Sequence, residues 1–260
     1  MNFPASFKII ASDYDGTLRK NGVIDLVDLQ SIATFRKHGN LFGIVTGRAY
    51  DMIHNELEHY GVDVDFLICN NGSVIFDKNG KALFQVNIEH QVAMDLIAWL
   101  EKEDDVKFGA CEGKHYFAQS HAGFARTQFK NPMVAPTITS REEVLKSKTI
   151  TAFFSRKNTP ELTMEMGKRM ERDFGQRLCL HHNQGTIDIG PKDVTKSTAI
   201  KALQELYPYA EITVIGDDLN DLDMVRDYHG FGIISGHEEL KKVASHLVHN
   251  LTECIELLMK

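Results

Sequence analysis

Asp13-Tyr14-Asp15-Gly16-Thr17 follows the apolar run Phe7-Lys8-Ile9-Ile10-Ala11. Far along the chain, Gly216-Asp217-Asp218-Leu219-Asn220-Asp221 follows Ile212-Thr213-Val214-Ile215. Both runs are short, apolar and rich in β-branched residues, the pattern of buried strands in a parallel sheet. Each acidic group then stands at a strand end. In open α/β sheets ligands bind in the crevice outside the carboxyl ends of the strands. Two carboxylate clusters brought together there repel each other unless a hard cation lies between them. Oxygen-only ligands of this kind suit Mg²⁺, so the pattern predicts a metal site.

The intervening chain supports an α/β core. Asp25 is a candidate N-cap for a helix carrying Leu26, Leu29, Ile32, Ala33 and Phe35, with Gly39 as its stop. Leu41-Phe42-Gly43-Ile44-Val45 reads as the next strand and ends at Thr46-Gly47-Arg48. A helix marked by Met52, Ile53 and Leu57 follows. Phe66-Leu67-Ile68-Cys69 is a third strand, meeting the turn Asn70-Asn71-Gly72. Val74-Ile75-Phe76 and Leu83-Phe84 flank Asp77-Lys78-Asn79-Gly80 as a hairpin. From about residue 85 mixed helices and strands replace the βα alternation, which reads as an inserted α+β lobe. Alternation resumes after Thr186-Ile187-Asp188-Ile189-Gly190-Pro191. The expected organisation is a doubly wound, Rossmann-like parallel-sheet core from residues 1–84 and 185–260, with a second domain from 85–184.

Composition narrows the function classes. The 260 residues carry 36 acidic and 29 basic side chains, for a net charge of −7, and contain no basic run of the kind that binds nucleic acid. Cys69, Cys111, Cys179 and Cys254 are scattered without C-x-x-C spacing, the pattern of free thiols in a reducing compartment. The N-terminal apolar run is short and broken by Asp13, unlike a signal peptide or membrane span. A cytoplasmic protein without a membrane or nucleic-acid partner is expected.

Four ordered segments now carry a resemblance: DYDGT at Asp13–Thr17, TGR at Thr46–Arg48, Lys196 within DVTKSTAIKAL, and GDDLND at Gly216–Asp221. Together they resemble the haloacid dehalogenase-like (HAD) phosphohydrolases, in particular the Cof-like, type IIB members whose cap is inserted between the second and third motifs. The resemblance spans essentially the whole chain. It implies a Mg²⁺-dependent phosphohydrolase acting on a small phosphorylated metabolite, such as a sugar phosphate, through an aspartyl-phosphate.

The chemistry can be assigned beside that resemblance. Hydrolysing a phosphate monoester requires a nucleophile, neutralisation of charge on the phosphoryl oxygens and a proton for the leaving oxygen. Asp13 is the candidate nucleophile, since an ionised carboxylate can attack phosphorus. Asp15, two residues on and on the same side in extended geometry, is the candidate general acid and later base. Asp217 is the expected downstream Mg²⁺ ligand, joining Asp13 and, as the resemblance implies, the Asp15 main-chain carbonyl. Asp221 and Asn220 are expected to orient these groups, with Asn220 also beside the phosphate. Thr46, Gly47 and Lys196 are the other expected phosphate-binding groups. Asp218 reads equally as a ligand or a turn residue, and Arg48 as a substrate contact or a structural ion pair. Glu112-Gly113-Lys114-His115 and His181-His182 are expected to be solvated loop segments, and cap loops are expected to set specificity. Two alternatives share this machinery: a phosphomutase or phosphotransferase using the same intermediate, and a non-catalytic phospho-ligand sensor. The intact set Asp13, Asp15, Lys196 and Asp217 argues against the sensor.

Overall fold

A computed structural model describes residues 7–118, 137–138, 141–183 and 185–260. These fall into two compact units. One comprises the chain up to Thr46, Leu57–Leu83 and Thr195–Lys260; the other comprises Gly47–Glu56 and Phe84–Val194.

The first unit is organised by one eight-stranded sheet. Its strands are β1 (Phe7–Asp13), β4 (Leu41–Val45), β5 (Phe66–Cys69), β6 (Val74–Asp77) and β7 (Ala82–Gln85), then β14 (Ala210–Gly216), β15 (Phe231–Ile233) and β16 (His246–Val248). Their order is β16-β15-β14-β1-β4-β5-β6-β7. Pairing is parallel from β16 through β5 and turns antiparallel between β5 and β6. From β1 the chain winds outward through β4 and β5; from β14 it winds the other way through β15 and β16. The switch in direction therefore lies between β1 and β14. In open α/β sheets the connections leaving the two strands at such a switch point run to opposite sides, and ligands bind there, outside the carboxyl ends of the strands. β1 is buried along nearly its whole length, as a central strand covered on both faces must be.

The helices of this unit are α1 (Leu26–Lys37), the C-terminal part of α2 (Tyr50–Tyr60), α6 (Lys196–Leu206), α7 (Leu222–Asp227), α8 (Glu238–Val243) and α9 (Leu251–Leu258). A small ribbon of β2 (Arg19–Lys20) and β3 (Val23–Ile24), too short to show as a sequence pattern, precedes α1. The buried stripe of α1 departs from the expected one. Ile32 and Phe35 are inside, but Leu26 and Ala33 are exposed, and Asp28 occupies the inner face. Asp28 is satisfied there because its carboxylate accepts the Thr252 backbone N–H at 2.8 Å and the Thr252 hydroxyl at 2.6 Å. Asp25 holds the N-cap backbone position without a side-chain capping bond.

The second unit has its own six-stranded sheet of β8 (Lys107–Glu112), β9 (His115–Ala118), β10 (Thr137–Ile138), β11 (Ile150–Arg156), β12 (Leu178–Asn183) and β13 (Thr186–Pro191), ordered β10-β9-β8-β11-β13-β12. The helices α3 (His90–Leu100), α4 (Arg141–Lys146) and α5 (Pro160–Phe174) belong to it. Leu96 and Ile97 of α3 and Met166 and Met170 of α5 share a core with Phe153, Ile187 and Ile189. Ala49 joins that core and Met52 packs against it, which is why the start of α2 belongs to this unit. The unit ends at Val194, beyond the expected return at 185, because β13 pairs antiparallel with β11 and β12. His181 and His182 lie in β12 and are no loop: His181 contacts Cys179 on one face and His182 fills the space above Gly167. Gly113 and Lys114 form the turn between β8 and β9, as expected for a loop, with the Lys114 ammonium 4.9 Å from the centre of the Tyr50 ring. Among the described residues, no helix is long and apolar enough to cross a membrane.

Gly43 in β4 sits in register with Phe66 in β5, and a Cβ at position 43 would come within 2.4 Å of the Phe66 ring. Gly43→Ala is therefore expected to overpack the sheet and lower the unfolding free energy by about 1–3 kcal/mol, measurable by urea denaturation.

Candidate active site

Asp13 ends β1 at the switch point and is 6% exposed. One carboxylate oxygen, Oδ1, accepts a hydrogen bond from Lys196 Nζ at 2.6 Å. The other, Oδ2, is buried and has no hydrogen-bond partner among the described residues. Lys196 reaches Asp13 from the first turn of α6, whose start is set by Thr195: its side chain accepts from the Thr198 N–H in a reciprocal capping box. The same ammonium donates to Asp221 Oδ1, also at 2.6 Å, so one buried cation bridges two buried carboxylates.

Asp221 is saturated by this arrangement. Its second oxygen accepts the backbone N–H groups of Asp217, at 3.0 Å, and Asp218, at 3.2 Å. Asp217 is held from the other side by Thr17, whose hydroxyl donates to Asp217 Oδ1 at 2.8 Å. Sequence reasoning quoted Thr17 without giving it a task; only the pairing of β1 with β14 brings it to Asp217. Gly16 is required at this junction, because a Cβ there would lie 2.1 Å from Asp217 Oδ2 and its φ is +97°.

Asp13, Asp217 and Asp221 each offer an oxygen within 4.8 Å of the others. Burial, reinforced by the negative charge of Asp221, raises the Asp13 carboxyl well above its ordinary range, and Lys196 opposes this shift. Burial and Asp221 also push Asp217 up to about 6. For Lys196, burial works against the charged form, but Asp13 and Asp221 outweigh it and raise the ammonium above its ordinary value. The donor set fits a hard divalent cation: all candidate ligand atoms are oxygens, and three clustered carboxylates share a single ammonium, so negative charge is in excess. Since both Asp221 oxygens are engaged, Asp13 and Asp217 are the pair that could hold it.

The remaining predicted residues are distributed as follows. Asp15 lies past the end of β1 in a turn closed by Gly16 N–H to Arg19 O and Arg19 N–H to Tyr14 O, so strand alternation does not orient it. Its half-exposed carboxylate is 3.5 Å from Arg19 Nη1. Thr46 is buried at the end of β4, where its N–H donates to Ile68 O at 2.9 Å. Asn220 donates to Asn71 Oδ1 at 3.4 Å. Asp218 is exposed and caps the turn at Leu219–Asp221, accepting from the Leu219 N–H at 2.7 Å. Arg48 is buried and pairs with Glu56 at 2.5 Å. Gly47 follows Thr46 as the first residue of the second unit.

A profile of the haloacid dehalogenase-like hydrolases matches residues 10–253. The chain belongs to this family. Phosphatase YwpJ of Bacillus subtilis (strain 168) is 23% identical to it over 270 residues, covering 91% of this chain and 93% of that protein. A HAD/COF-like hydrolase from Plasmodium vivax superposes with a TM-score of 0.84 at 20% identity, covering 97% and 95% of the two chains. The HAD subclass IIB sugar phosphatase BT4131 superposes with a TM-score of 0.80 at 19% identity, covering 97% and 99%. The protein is a HAD-like enzyme of the phosphatase type, on a mixed α/β fold with a predominantly parallel main sheet.

Replacing Lys196 by Met in this HAD-like enzyme would leave Asp13 and Asp221 buried without their shared counter-charge. The expected loss at neutral pH is about 3–5 kcal/mol of unfolding free energy, the usual penalty for breaking a buried ion pair from one side. Urea denaturation of the metal-free proteins measures it; equal midpoints would show that the bridge does not hold the site together.

Proposed function

We propose that this HAD-like phosphatase hydrolyses a small phosphorylated metabolite, of the sugar phosphate class, with Mg²⁺ and through a phosphoryl group carried transiently on Asp13. The observation that carries the proposal is the asymmetry of Asp13: one oxygen is fixed by Lys196, and the other is buried, unpaired among the described residues and placed at the sheet's switch point. A carboxylate oriented in this way is a nucleophile held in one direction. The sugar phosphate assignment is supported by likeness to a subclass IIB sugar phosphatase.

In this reading Asp13 Oδ2 attacks phosphorus and the bond to the leaving oxygen breaks, that oxygen taking a proton from Asp15. Asp15, now ionised, accepts a proton from water as the water oxygen attacks phosphorus. Inorganic phosphate departs, the Asp13 carboxylate is restored and Asp15 is again protonated. Lys196 favours the ionised form of Asp13, against the effect of burial, and presents positive charge beside the phosphoryl oxygens. The Thr46 hydroxyl, the Gly47 N–H and Asn220 bind those oxygens. Asp13, Asp217 and the Asp15 main-chain carbonyl would hold Mg²⁺, which when bound offsets the charge shared by the carboxylates and the phosphoryl group. Asp221 keeps Lys196 and Asp217 in place. The inserted unit is assigned the choice of leaving group. We infer a cytoplasmic setting, in keeping with four free cysteines, and no nucleic-acid partner, in keeping with the net charge of −7.

A phosphate-release screen across phosphorylated metabolites is the test. Activity is expected with Mg²⁺, to vanish in excess chelator and to return when Mg²⁺ is restored. Asp13→Asn is expected to abolish turnover, because an amide is a poor nucleophile, and Asp15→Asn to slow it. Undiminished release in chelator would refute the metal assignment. Preferred transfer to a sugar acceptor over water would instead identify a mutase or phosphotransferase.

A further inference from the structure

The turn Asn70-Asn71-Gly72 belongs to none of the four motifs, yet it touches three of the segments that carry them. All three of its residues are in the left-handed region, with φ of +53°, +52° and +111°. Asn tolerates this region better than other residues with a side chain, but two in succession are uncommon. Both Asn70 and Asn71 are buried, at 3% and 4% exposure. A backbone of this kind persists where its surroundings over-determine it. The surroundings here are the active-site segments. The Asn71 N–H donates to Thr46 O at 3.0 Å, and Asn71 Oδ1 accepts from Asn220 Nδ2 at 3.4 Å. Gly72 lies against Thr195, the cap of the helix that carries Lys196; a Cβ at position 72 would meet the Thr195 carbonyl oxygen at 2.3 Å. Ser73 closes the turn by donating its hydroxyl to Asn70 O at 3.1 Å.

We infer that Asn71 is a positioning residue for phosphate recognition, fixing Thr46 through its backbone and Asn220 through its carboxamide. The inference rests on the phosphatase reading above, in which Thr46 and Asn220 face the phosphoryl oxygens. The Asn71 oxygen turns the Asn220 amide so that one N–H is engaged and the other is directed. Its bond is at the long end of the hydrogen-bond range, where an active-site contact has room to tighten when phosphate binds. The left-handed Asn71 backbone anchors the oxygen relative to the end of β4, so that the Thr46 and Asn220 groups are set against each other by one residue.

A double-mutant cycle on the full chain tests this, with two readouts: kcat/KM for an aryl phosphate, and the affinity for inorganic phosphate in the presence of Mg²⁺ by calorimetry. Asn71→Gly suits the left-handed backbone and keeps the N–H to Thr46, removing only the carboxamide. It is expected to lower both quantities by about tenfold, the lower end of losses seen for orienting partners. On an Asn220→Ala background the same change is expected to cost less than about twofold, because the groups act as a unit. Asn71→Asp, which keeps an acceptor oxygen and tolerates the same φ, is the second variant and should retain more activity and phosphate affinity than Asn71→Gly. Losses that multiply across the cycle, phosphate affinity unchanged by Asn71→Gly, or an Asp variant no better than the Gly variant would overturn the inference. A wild-type protein that releases phosphate from no ester, yet shows the coupling in phosphate affinity, would refute the hydrolase reading and leave the positioning role standing.

Discussion

One buried ammonium organises this molecule. Lys196 Nζ lies between Asp13 and Asp221, with both contacts at 2.6 Å and all three side chains almost inaccessible to water. An ion triad in a low-dielectric setting is costly to desolvate and is weak evidence for stability. Its value here is specification. By holding Asp13 Oδ1 it leaves Oδ2 as the buried, unengaged end of the carboxylate, and by holding Asp221 it secures the acceptor for the Asp217 and Asp218 amides. The candidate metal-binding carboxylates and the cation beside them are therefore coupled through a single side chain.

The backbone makes that coupling possible. Because the main sheet reverses its winding between β1 and β14, residues separated by about two hundred positions end side by side. Helix α6 delivers Lys196 at its first turn, where the capping box fixes the helix start, and the Asn70–Gly72 turn packs on that cap. Gly16 completes the junction by leaving room for Asp217. Each constraint is short-ranged in space and long-ranged in sequence, the condition under which a site is rigid and hard to read from local pattern.

That distinction explains what was legible. The fold class was readable because buried parallel strands write themselves as short apolar runs, and β1, β4, β5 and β14 each do so. The acidic groups were readable because each stands just past such a run. What the sequence could not show were partners chosen by tertiary contact: Thr17 for Asp217, Asp221 for Lys196, Glu56 for Arg48 and Asn71 for Asn220. Periodicity also misplaced the inner face of α1, where Thr252 satisfies Asp28 and makes a buried acid acceptable in place of Leu26. The strand β13 read as a return to the core because its apolar alternation is the same whichever sheet it joins.

The central claim is that the Asp13 carboxylate takes the phosphoryl group. It is tested most directly by acid-quenching the enzyme during turnover with its best substrate and Mg²⁺, reducing with borohydride and sequencing the peptides by mass spectrometry. An acyl phosphate on Asp13 would be reduced to homoserine at position 13, and the signal should disappear without substrate. Modification at any other carboxylate, or steady turnover with no trapped intermediate at Asp13 under conditions that slow its hydrolysis, would contradict the account.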